Sequence, residues 1–113
     1  MGGRPHLEIA FESKELRDIC EVEAEAKGRL GENPAEMLRH RLADMDAATS
    51  PKDLLAGQPR LSQNGQVMLI DLCEGYRIVI APNHPYSPTT FARGLDWEKV
   101  RSIRILRIES DHA

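Results

Sequence analysis

The chain is 113 residues long with a mass of 12.7 kDa, which suits a single hydrophobic core and excludes a multidomain enzyme. With 41% hydrophobic and 29% charged residues it has the balance of a soluble globular protein, and at 4% aromatics its core must be built from Leu, Ile, Val and Met. A net charge of -3 and a pI near 5.8 argue against nucleic-acid binding through overall positive charge, because phosphate neutralisation supplies most of that affinity. Any such function must come from a local patch.

Cys20 and Cys73 are too few and too far apart for a disulfide framework or a zinc site. A reducing cytoplasm is the expected setting, with no metal and no other cofactor. The apolar runs at 67–70 and 78–81 fall far short of the roughly 18 residues that span a bilayer, and residues 1–6 lead into no signal-like segment. One domain over 1–113 is expected, with 1–6 flexible and no membrane association.

Leu7, Ile9 and Phe11 alternate at period two and predict a short strand with one face buried. Ser13 then caps a helix carrying Glu15 and Asp18 in its first turns, with Leu16, Ile19, Cys20, Ala26 and Leu30 at helical spacing and an end near Gly28 or Gly31. Glu23 projects close to the middle of that stripe, with Lys27 four residues on, and reads as half of an ion pair. Asn33-Pro34-Ala35-Glu36 has the form of a capping box, with Asn33 as cap. It starts a second helix whose buried stripe is Ala35, Leu38, Leu42 and Met45. Ser50-Pro51-Lys52-Asp53 repeats the start logic for one turn, closed by Gly57.

From Val67 the period changes to two. Runs at 67–73 and 76–81, separated by Glu74-Gly75, predict an antiparallel hairpin. Prolines 82, 85 and 88 make a loop, Asp96 caps a turn containing Trp97, and 103–108 is a last strand. The result is an α+β fold in the order β-α-α-β-β-β: an N-terminal strand, a helical hairpin, then a three-stranded antiparallel portion of one sheet.

No Gly-rich phosphate loop, nucleophile elbow or paired histidines at ligand spacing occur, and His6, His40, His84 and His112 are scattered. The charge, however, is polarised. Residues 1–50 hold seven basic against eleven acidic side chains, and the remainder eight against seven. On the last strand Arg101, Ile103, Ile105 and Arg107 share one parity and Ser102, Arg104, Leu106 and Ile108 the other, so strict alternation sends arginines to both faces. Arg77 shares parity with Val79 and Ala81, and an arginine there needs an anion. It is either the partner of Asp71 or Glu74 in a structural salt bridge or a clamp for phosphate or carboxylate. Arg101, Arg104 and Arg107 are either a solvated strand face or contacts for a ligand. His112 is either a tail residue or an acid/base group beside an arginine.

Taken together, the short strand, the helical hairpin, the stretch 46–54, the run 71–82 with Tyr76-Arg77-Ile78 at its centre, the Gly94-Leu95-Asp96-Trp97 turn and the final strand followed by His112 resemble the RelE/ParE toxin superfamily. Within it the likeness is to HigB-like plasmid maintenance system killer proteins, and it covers nearly the whole chain from Leu7. The resemblance implies the toxin of a type II toxin-antitoxin pair, a metal-independent endoribonuclease cutting mRNA on the ribosome. It places Arg77 and His112 in catalysis, Arg77 stabilising phosphorane charge and His112 as acid or base. Arg60, Arg101, Arg104 and Arg107 are the expected RNA contacts. The implied partner is a cognate antitoxin, a helix-turn-helix protein, in a toxin-antitoxin hetero-oligomer. A ParE-like inhibitor of DNA gyrase and a non-catalytic antitoxin-binding module of the same fold are the alternatives.

Overall fold

The computed structural model describes residues 6–83, 89–90 and 94–111. The alternating apolar residues after Leu7 form β1 (Glu8–Phe11), with Leu7, Ile9 and Phe11 turned to the core as their period requires. Three helices follow, α1 (Lys14–Glu21), α2 (Glu23–Leu30) and α3 (Glu32–Ala47). One turn of 3-10 helix (Pro51–Asp53) leads to β2 (Arg60–Leu61), β3 (Met68–Asp71) and β4 (Tyr76–Pro82). A two-stranded ribbon of β5 (Thr89–Thr90) and β6 (Gly94–Leu95) and a second 3-10 turn (Trp97–Lys99) precede β7 (Ser102–Ser110).

The sheet has five strands in the order β1-β7-β4-β3-β2, antiparallel except for the parallel pair of β1 and β7. Its inner face supplies Met68, Ile70, Ile78, Ile80, Ile103 and Ile105, and the helices close over it with Leu16, Ala26, Ala35, Leu38 and Met45. This is a two-layer α+β architecture, and its core is aliphatic apart from Trp97. The Trp97 indole donates to the Gly65 carbonyl at 2.9 Å, which satisfies the one polar atom of a buried ring. No helix among the described residues is long and apolar enough to cross a membrane.

Several expectations are corrected. The first helix does not run through to Gly28 or Gly31, because Val22 is extended (φ -116°, ψ 112°) and divides it into α1 and α2. The break has a physical reason. A continuous helix would carry Glu23 within the buried stripe, whereas a re-phased α2 leaves it exposed, 3.8 Å from Lys27. Asn33 does not cap α3; Gly31 does, at φ 96°, and Asn33 and Pro34 fall inside the first turn, where a missing N–H costs nothing. The Asn33 amide instead donates to the Glu74 carboxylate at 3.0 Å, tying α3 to the tip of the β3–β4 hairpin. The sheet also gains β2 beyond the expected strands, and β5 and β6 form a separate ribbon.

Other local signals act as read. Ser50 and Asp53 form a reciprocal capping box, and the Asp96 side chain accepts from the Glu98 N–H at 3.2 Å. Glu74 and Gly75 both have positive φ, 56° and 82°, as in the mirror-image turns that suit the twist of paired strands.

Gly57 is where helix, loop and sheet meet. Its carbonyl accepts from the Asp71 N–H at 2.6 Å, and Arg41 of α3 donates from Nε to the Asp71 carbonyl at 3.2 Å. A Cβ at Gly57, where φ is +86°, would lie 2.7 Å from Ile70 Cγ2 and 2.8 Å from both Arg41 Nε and the Asp71 oxygen. Gly57→Ala is therefore expected to destabilise the chain by about 2 to 4 kcal/mol, measured as a lowered urea midpoint at unchanged m-value.

Candidate functional site

The face of the sheet opposite the helices carries the charged residues. On β4 the inner positions are Ile78 and Ile80, so Arg77, Val79 and Ala81 point to the opposite face, where Val79 is nonetheless fully buried, with Asp71 of β3 directly across from Arg77. On β7 the inner residues are Ile103, Ile105 and Ile108, a spacing that strict alternation cannot produce. The register shifts between Val79 and Ile80: Val79 lies opposite Arg107 and Ile80 opposite Ile105, leaving Leu106 as a surplus residue in β7. This β-bulge changes which residues share a face. Arg104 before it and Arg107 and Glu109 after it all point outward, so the expectation that arginines occupy both faces is corrected.

Arg77 is 23% exposed and makes two short ion pairs. Its Nε donates to Glu109 Oε2 at 2.7 Å and its terminal NH1 to Asp111 Oδ1 at 2.6 Å. Neither of the carboxylates first considered is its partner. Asp71 accepts instead from Arg60 at 3.0 Å, and Glu74 from Asn33. Glu109 bridges two cations, because its other oxygen accepts from Arg107 Nε at 2.9 Å. Hydrogen bonds from Arg107 and then Arg77 hold the Glu109 carboxyl below the usual carboxylate range. Asp111 and then Glu109 in turn push the Arg77 guanidinium above its ordinary value.

Arg104 donates to Glu12 at 3.2 Å and to the Asn83 side-chain oxygen at 2.8 Å. Arg60, Arg77, Arg104 and Arg107 are thus distributed over the face away from the helices, each on a carboxylate. Arg101 is not part of that row. It precedes β7 and donates to the carbonyls of Glu98 and Val100 at 2.7 and 3.1 Å, against the neighbouring 3-10 turn. His112 and His84 lie outside the described residues. His40 sits on α3, its Nε2 3.2 Å from Glu36, in the helical layer.

At the hairpin end of the face is a hollow of about 300 Å³, lined among others by Arg60, Asp71, Tyr76, Arg77 and Asp111. Cys73 also borders it, but burial and Glu74 raise its thiol above the ordinary value. Cys20, between the helices, is pushed up to about 12 by burial and Glu21, so its sulfur stays protonated near neutral pH. Among the described residues no group of three or more His, Cys, Asp or Glu is arranged to hold a metal ion. The chemistry on this face is that of guanidinium groups, able to hold phosphate or carboxylate in a fixed fork geometry.

Sequence reasoning did not identify Glu109 and Asp111 as the partners of Arg77. The signal was the period-two run Arg107, Glu109, Asp111, which puts a cation and two anions in line on one strand face. Compared with protein-family models, with curated proteins and with solved structures, the chain finds no match.

Because the folded state favours ionised Glu109, its contribution to stability is complete above the ordinary carboxylate range and is lost as pH falls through that range and below it. Glu109→Gln should lower the urea midpoint at pH 7 and converge with the parent only at pH below the ordinary carboxylate range. Parallel stability curves across that interval would refute the coupling.

Proposed function

We propose that this chain is the toxin component of a type II toxin-antitoxin pair, acting as a ribosome-dependent mRNA endoribonuclease that needs no metal. The observation that carries the reading is the bulge at Leu106, which aligns Arg104 and Arg107 with Arg77 on the sheet face away from the helices. The resemblance to RelE-like and HigB-like toxins supports it.

In the proposed reaction the ribose 2′-oxygen attacks the adjacent phosphorus in line. The O2′–P bond forms and the P–O5′ bond breaks; one group takes the 2′ proton and another protonates the departing O5′. Arg77 stabilises the charge that builds on the non-bridging oxygens. His112, next in sequence after Asp111, serves as acid or base. Arg60, Arg104 and Arg107 hold the RNA backbone, and Arg101 extends that contact from the end of β7. A net charge of -3 and a carboxylate beside each arginine of the face make free RNA a poor ligand, which fits an enzyme whose substrate is presented by the ribosome. The setting is the cytoplasm. The partner is a helix-turn-helix antitoxin that masks the arginines in a hetero-oligomer.

A second reading, a non-cleaving antitoxin-binding module, draws on the same pairing: carboxylates engage all four arginines of the face.

The test is induced expression in bacteria with mapping of mRNA 5′ ends. The parent chain is expected to arrest growth and create new 5′ ends. Arg77→Ala and His112→Ala should each lower cleavage by about a hundredfold or more and relieve arrest. Unchanged toxicity in both variants sinks the catalytic assignment. Expression without arrest or new ends favours the non-cleaving module.

A further inference from the structure

The two carboxylates on Arg77 are not equivalent. Glu109 lies within β7, directly opposite Arg77 in the ladder, and its second oxygen is held by Arg107. Asp111 lies beyond the end of β7, its side chain is 65% exposed, and one backbone bond ties it down, from its N–H to the Gly75 carbonyl at 2.9 Å. Its carboxylate nevertheless takes the terminal NH1 of Arg77, and both residues line the hollow with Arg60 and Tyr76. An ion pair with one partner so exposed contributes little to folding, and breaking it costs the chain little. Glu109, by contrast, positions the guanidinium from the Nε side and leaves its outer edge to whichever anion competes best.

We infer that Asp111 is a built-in latch on Arg77: its carboxylate occupies the seat of an incoming phosphodiester, and binding exchanges one anion for the other. The inference rests on Arg77 being the phosphate-binding group of the proposed function, and it adds a regulation of that same site. In the free protein the latch keeps Arg77 oriented and quenched. A phosphate arriving on RNA displaces Asp111 towards solvent, keeps the Glu109 bond to Nε, and meets Arg60 as a second cation across the hollow.

The experiment follows the Arg77 Nε–H resonance of the full chain by NMR during titration with inorganic phosphate. A second titration uses a short RNA carrying deoxyribose throughout its reactive positions, so that it is not cut. Asp111→Asn is expected to bind the RNA about fivefold more tightly than the parent chain and to move the Arg77 resonance at lower phosphate. Asp111→Ala, whose fold is checked by its thermal midpoint, should behave alike. In an Arg77→Gln background, Asp111→Asn should change nothing, because the latch acts only through that arginine. Equal gains with and without Arg77 would reveal a general charge effect and overturn the latch. An unchanged affinity in both Asp111 variants overturns it as well. Growth arrest and mRNA cleavage are scored on the same variants. Tighter binding without cleavage by any of them supports the latch and refutes the nuclease reading, whereas cleavage without any gain keeps the nuclease and refutes the latch.

Discussion

β4 and β7 form the centre of the sheet, and their ladder accommodates one residue more on β7 than on β4. The outward placement of Arg107 and Glu109 beside Arg77 follows from where Leu106 is inserted. On the N-terminal side of the bulge, β7 also pairs with β1, and that second ladder ends at Phe11 and Ile105, directly before the surplus residue. On the C-terminal side the strand is re-phased, Ile108 returns to the core opposite Ile78, and Arg107 and Glu109 are released to the face away from the helices. If Leu106 instead took a regular place in the ladder, Arg107 would continue the alternation of Ile103 and Ile105 and enter the core. A buried, unpaired guanidinium is among the costliest defects a small domain can carry, so the bulge and the charge pattern depend on each other.

The acidic balance of the whole chain and the arginines of the sheet are parts of one arrangement. Glu12, Asp71, Glu109 and Asp111 stand within bonding distance of Arg104, Arg60, Arg77 and Arg107, so the face is a row of paired charges. Such a surface has directional donors without a strong long-range positive field. Its geometry is able to hold an anion at close quarters but attracts one poorly from a distance. That combination suits a site to which a large assembly delivers the ligand.

Much of the fold was legible from local chemistry. Leu7, Ile9 and Phe11 alternate onto the core as a half-buried strand should, Leu38 and Met45 lie on the buried stripe of α3, and Ser50 and Asp96 cap the turns they announce. What escaped was settled at longer range. Val22 has no helix-breaking side chain; in a continuous helix Glu23 would fall on the buried stripe, and the break leaves it exposed beside Lys27. Asn33 has the right identity and spacing for a cap, but Gly31 reaches the positive φ that the connection needs, and Glu74 then claims the Asn33 amide. The bulge at Leu106 has no signature of its own in the strand, since Ile, Leu and Arg are ordinary there. Arg77 needs an anion, and it takes Glu109 of β7 and Asp111 just beyond that strand, while Arg60 of β2 holds Asp71.

The parallel pair of β1 and β7 joins the first and last strands of the sheet, and the Arg104–Glu12 contact spans 92 positions of sequence. Among the described residues β7 alone bridges β1 and β4. During synthesis, therefore, the helices and the β3–β4 hairpin can form early, but β1 has no neighbour in the sheet until β7 has left the ribosome. Closing so long a loop makes folding slow relative to a helical domain of the same size. The hairpin brings Asp71 and Arg77 together on its own, but Glu109 and Asp111 reach Arg77, and Arg104 reaches Glu12, only in the last step of assembly.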